Sequence, residues 1–133
     1  MSGYHQGLQQ YRTLDLQTRI EDASPHELIN MLLQGARSHI NSASHHLQHH
    51  RIKEKGEHIG KTISIMSGLR GSLDHENGGQ IAENLDKLYE YIEQILLKAN
   101  LDNNNDLLTE ANTLLSEIHQ AWQEIKPASV SEE

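Results

Sequence analysis

The sequence predicts an all-α protein, an antiparallel up-down four-helix bundle with an extended N-terminal segment. Three observations carry that expectation. Pro25 and Pro127 are the only prolines, and they bracket roughly 100 residues with little β-branched alternation, which favours helix over strand. Inside that interval apolar residues recur at three- and four-residue steps in four separate stretches, the period of a helix with one face on a core. The turn clusters between the stretches are too short for a crossover, so successive helices run antiparallel. A chain of 133 residues makes one domain, which hides roughly 68% of its unfolded surface and needs no metal or disulfide staple.

Residues 1–23 come first and are harder to place. Leu8, Tyr11, Leu14, Leu16 and Ile20 make this segment too apolar for a free tail, yet it holds no helical period. Leu14-Asp15-Leu16-Gln17 alternates like an extended strand, so the segment is expected to lie along a groove between helices as a movable cover. The first helix, 24–50, has a legible start: Ser24 as N-cap, Pro25 at the first helical position and Glu27 completing a capping box. Leu28, Leu32, Ala36, Ile40, Ala43 and Leu47 form its stripe. The second helix, 52–73, carries Ile52, Ile59, Ile63, Met66 and Leu73 and is weakened by glycines. Asp74 to Gly79 is expected to be a break. The third helix, 79–99, keeps Ile81, Leu85, Leu88, Ile92, Ile95 and Ala99 in step, with Ala82, Tyr89 and Leu96 widening the face. Asn100 to Asn105 makes a turn, and the fourth helix, 105–126, runs from Leu107 through Trp122 to Ile125. Residues 127–133 are expected to be a disordered tail.

Charge and composition exclude several functions. Eleven Lys and Arg against 19 Asp and Glu leave a net charge of −8, which offers no electrostatic footprint for nucleic acid or an anionic membrane. Cysteine is absent, so thiolate nucleophiles and Cys-containing zinc sites fall away. No apolar run approaches the roughly 20 residues of a membrane span, and Met1 to Gln10 is too polar for a signal peptide, so a cytoplasmic protein without membrane insertion is expected. The carboxylates are scattered over solvated faces, which gives no catalytic constellation and no enzyme. Gly78-Gly79 follows no strand and precedes no Lys-Ser/Thr, so it is no phosphate loop. The ten histidines include His45/His49 and His46/His50 at metal-sharing spacing, but they sit at a helix end where His also suits the dipole. The paired Glu-x-x-His set of a di-iron bundle is missing. No functional metal site and no cofactor are expected, with a metal-binding four-helix protein kept as an alternative.

Apolar residues that the core does not explain are the informative ones. At about 100° per residue, Met31 falls outside the arc of the first helix, Ile65 points away from the second and Leu69 lies at its margin. Tyr91 and Leu97 leave the third on opposite sides, and Tyr89 sits at its core edge. Met31, Ile65, Leu69, Tyr89 and Tyr91 are therefore the candidate groove, while Leu85, Leu88 and Trp122 go to the core. Ile65→Asp is expected to weaken partner binding and leave helicity intact.

These residues also carry a family resemblance. Tyr11, Leu14 and Leu16, then Ala23-Ser24-Pro25-His26-Glu27-Leu28-Ile29 and Met31-Leu32-Leu33-Gln34-Gly35-Ala36, begin it. Leu73-Asp74-His75-Glu76-Asn77-Gly78-Gly79, Leu88-Tyr89-Glu90-Tyr91, Ala99-Asn100 and Ala121-Trp122 complete it in order over about residues 8 to 126. The chain resembles the flagellar secretion chaperones of the FliS family, with Gln34 standing where that family commonly has Asp. The resemblance implies a bacterial cytoplasmic chaperone that binds the disordered C-terminal region of flagellin, keeps the subunit monomeric and helps deliver it to the export gate of the flagellar type III secretion apparatus. It also implies that Leu8 and Tyr11, with Leu14 beside them, belong to a movable segment that guards the groove or touches the gate. A self-associating helical adaptor is the competing reading, and free grooves invite a homodimer.

Overall fold

The computed structural model describes residues 24–125, so the expectations for residues 1–23 and 127–133 lie outside the described residues. Four helices follow in order: α1 (Pro25–Gln48), α2 (Ile52–Gly71), α3 (His75–Asp102) and α4 (Asn105–Glu124). No strand occurs among the described residues. Each helix packs on the next and α4 returns to α1, closing a ring of four. Side-chain bonds fix the directions. Asn105 at the start of α4 pairs with Ser44 late in α1, and Trp122 late in α4 pairs with His26 at the start of α1. Lys55 early in α2 likewise meets Asn100 late in α3. The result is the antiparallel up-down bundle.

The helix ends explain themselves chemically. Ser24 Oγ accepts from the Glu27 amide while the Glu27 carboxylate accepts from the Ser24 amide, and Pro25 fills the first helical position. Asn103 closes α3 in the left-handed region at φ 51°, and the adjacent Asn104 opens α4 by accepting from the amides of Asp106 and Leu107. Two neighbouring asparagines thus end one helix and begin the next. The expected break falls at Gly79, and what differs is that the residues before it are helical. Asp74 caps the turn that follows by accepting from the Asn77 amide, so α3 begins at His75, and only Gly79 leaves helical geometry, at φ 51° and ψ −124°. The break is a kink inside α3.

Leu33, Ala36, Ile40 and Ala43 of α1 bury against Ile59 and Met66, Ile92 and Leu96, and Leu108, Ala111 and Leu115. Leu33, absent from the expected stripe, is fully buried. Ile81 and Ile52, both expected in stripes, are exposed, Ile81 to 78%. Ile81 lies where α2 has already ended at Gly71, so α2 does not reach over it. A lysine and a histidine are also buried among the described residues. Lys55, 2% exposed, donates to the Asn100 carbonyl at 2.9 Å and to its side-chain oxygen at 2.6 Å, tying α2 to the last turn of α3. His119, 5% exposed, accepts from Arg37 and faces Asn30, tying α4 to α1.

Candidate functional site: an apolar groove at the open end of the bundle

Four chain segments meet at one end of the molecule: the first turns of α1, the last of α2, the kinked start of α3 and the end of α4. Because Gly71 ends α2 and the chain turns through Ser72 and Leu73 into the Asp74 cap, the described residues roof the core there only in part. A cavity of about 400 Å³ opens at this place, with Leu69, Ala82, Leu85 and Tyr89 as floor and Ile81 and Trp122 on its sides. A second, more apolar hollow of about 570 Å³ runs along α1 past Pro25, Leu28, Met31, Leu32 and Gly35. Ile29 and Ser72 border both, so the two hollows adjoin and together make up the groove region.

One wall of the groove is a double latch. The Trp122 indole N–H donates to the His26 carbonyl at 3.0 Å, and His26 Nε2 donates to the Trp122 carbonyl at 3.0 Å. The two rings stack with centroids 4.9 Å apart. At the opposite wall Ile65 leans over the Gly35 backbone, and a Cβ there would stand 3.6 Å from Ile65 Cδ1, in ordinary van der Waals contact.

The five expected groove residues are distributed as follows. Met31 lies half-buried in the α1 hollow. Leu69 and Tyr89 are buried and form the floor of the cavity. Burial pushes the Tyr89 phenol up to about 12, so it stays neutral. Ile65, expected to point away from the core, is half-buried and packs against it behind Gly35. Tyr91 is separate from the rest: 43% exposed, it donates its hydroxyl to Glu110 at 2.6 Å on the α3–α4 side. Leu85, Leu88 and Trp122 pack against the core. Leu8, Tyr11 and Leu14 lie outside the described residues. Ile81 and Gly35 are groove residues that the periodicity missed: Ile81 keeps the core period, and a glycine carries no apolar signal at all.

The groove holds apolar surface and no chemistry. Its carboxylate, Asp74, is occupied by the Asn77 amide and side chain, which keep it below the usual carboxylate range. His119 is engaged by Arg37 at 2.9 Å and Asn30 at 2.9 Å, so both of its ring nitrogens are occupied. The His45 and His49 rings approach at 4.4 Å, yet no three His, Asp or Glu side chains converge as for a metal among the described residues. No helix among the described residues is long and apolar enough to cross a membrane. What such a groove can do is receive apolar side chains from a partner helix.

Comparison with known proteins gives a consistent set of relatives. The family model described as flagellar protein FliS matches residues 7–129. The flagellar secretion chaperone FliSB of Pseudomonas aeruginosa is 42% identical over 118 residues, 89% of this chain and 94% of that protein. The flagellar secretion chaperone FliS of Salmonella typhimurium is 40% identical over 128 residues, 96% and 95% of the two chains. That of Vibrio cholerae is 35% identical over 120 residues, 90% and 88%.

Proposed function

The chain belongs to the FliS family of flagellar secretion chaperones, a non-enzymatic class, and from that premise we propose that it is a cytoplasmic chaperone for the C-terminal region of flagellin. In this reading it holds that region before polymerisation and hands the subunit to the export gate of the flagellar secretion apparatus. The observation that carries the reading is the pair of adjoining apolar hollows at one end of an acidic bundle, bordered by an exposed Ile81.

A disordered partner gives up ordering entropy when it binds, so it needs a long apolar path, roughly 1,000–3,000 Å² of buried surface. The groove receives only a few side chains, and the partner continues over outer faces where Tyr91, Leu97 and Leu101 stand exposed. Met31 and Ile81 make first contact, Leu69 and Tyr89 form the floor, and Ile65 supports the α1 wall. The segment with Leu8, Tyr11 and Leu14 joins α1 at Ser24, beside the lip formed by Pro25, which suits a cover that the partner displaces.

Calorimetric titration with the C-terminal segment of flagellin from the same organism tests the reading. The expected result is a saturable one-to-one isotherm with a clearly negative heat-capacity change. Absence of heat and of co-elution at tens of micromolar would overturn it and put the self-associating adaptor first.

A further inference from the structure

Across helices the fold brings together a histidine pair that sequence spacing did not mark. His39 on α1 and His58 on α2 face each other with their Nδ1 atoms 2.9 Å apart. Both are half-buried, and their ring centroids lie 5.2 Å apart. His46 stacks on the same His58 ring at 5.3 Å and 15°, which limits how that ring can turn. A hydrogen bond between two Nδ1 atoms requires one ring to carry the proton there and the other to offer its lone pair. Two imidazole nitrogens converging from separate elements are also the donor set that zinc, nickel and copper ions take. Zinc–nitrogen bonds of about 2.0–2.1 Å in tetrahedral geometry place two nitrogens about 3.3 Å apart, so the rings need to part by a few tenths of an ångström and to turn by about 35° between them and the ion.

We propose that His39 and His58 form a two-ligand site for a borderline divalent cation such as zinc, which clasps α1 to α2 in the half of the bundle away from the apolar groove. The ion takes the Nδ1 lone pair of each ring. The proton that one Nδ1 held moves to Nε2 of the same ring, so both rings stay neutral and no net proton is released. No third His, Asp or Glu among the described residues converges on the pair, so water completes the coordination. His46 is a wall and not a ligand through its Nδ1, because that atom accepts from Arg51 Nε at 2.8 Å. Lys61 acts on His39 as a like charge and holds the affinity below that of closed structural zinc sites, while the net charge of −8 favours a dication. The site exists only when α1 and α2 are packed, so the ion stabilises the fold by linkage. At ten times Kd the folding equilibrium shifts about elevenfold.

The test uses untagged full-length protein and Zn2+ alone as probe, near neutral pH. The expected result is one ion per chain at micromolar affinity and a rise in Tm. His39→Gln and His58→Gln each lower the affinity at least about tenfold and cancel that rise, while the double variant His45→Gln/His49→Gln keeps both. Ring-nitrogen NMR of the wild-type protein answers without depending on a variant's folding: Zn2+ is expected to shift the Nδ1 signals of His39 and His58. Three results would overturn the site: no binding at roughly 100 µM Zn2+, binding that disappears only in the His45/His49 double variant, or Nδ1 signals of His39 and His58 that do not move.

Discussion

Arg37 can only donate hydrogen bonds, so its contact with His119 Nδ1 fixes that ring as the Nε2–H tautomer, with the proton directed at Asn30. A second proton on His119 would face the guanidinium, and burial together with the Arg37 charge lowers its pKa from 6.5. His39 is lowered in the same direction, by burial first and then by His58 and Lys61. The unfolded chain takes up these protons at higher pH than the folded one, so their contribution is complete above 6.5 and is lost as pH falls through the folded values. Urea midpoints are expected to decline from pH 7.5 to 5, and His119→Gln should flatten part of that slope. Gly79 sets a different constraint. With φ at 51° and nothing near its missing Cβ, Gly79→Ala is strained by backbone alone and is expected to cost about 1–2 kcal/mol in chemical denaturation. Gly78→Ala fails for another reason, since a Cβ there would come within 2.9 Å of the Ala82 methyl.

At the scale of the element, α1 couples stability to the groove, because its capped first turn is also the groove wall. Ser24→Ala removes one half of the capping box and is expected to cost about 1 kcal/mol. Hydrogen exchange should locate the loss in the amides of the first turn, with partner binding weakened more than Tm. The α2–α3 corner has its own tie, Arg70, which bonds Asp86 at 2.8 Å and Glu93 at 3.1 Å and holds Asp86 below the usual carboxylate range. The helices themselves were legible in the sequence because caps and periodicity are local: Ser24-Pro25-His26-Glu27 starts α1 where expected. Periodicity gives the direction of a side chain around its own axis, but not how far a neighbouring helix extends. For that reason Ile81, in step with the core, emerges exposed, and Leu33, beside the stripe, is buried between α1 and its two neighbours. The same limit hid His39 and His58, which are 19 residues apart and meet only through the α1–α2 seam. Asp74 turned a predicted gap into a helical turn, since its cap lies four residues before Gly78 and starts the helix ahead of the glycine pair.

At the scale of the molecule, the bundle separates what holds it together from what it offers. Leu33→Ala is expected to cost about 2–5 kcal/mol, as a cavity in a filled core does, and to lower partner binding only through unfolding. Ile81→Asp is expected to leave Tm nearly unchanged and to weaken the flagellin segment at least about tenfold, the loss of one apolar contact and the burial of a charge. Ile65 lies between these cases: because it packs against the core, Ile65→Asp is expected to lower both. Thermal unfolding and titration of the three variants together distinguish support from contact. The latch at the open end adds an optical property. The chain has a single tryptophan, and Trp122 stands on the side of the cavity, half-exposed to water and stacked on His26. Intrinsic fluorescence of the unlabelled protein is thus a signal from one place, and a blue shift of its emission marks the moment when the groove loses its water.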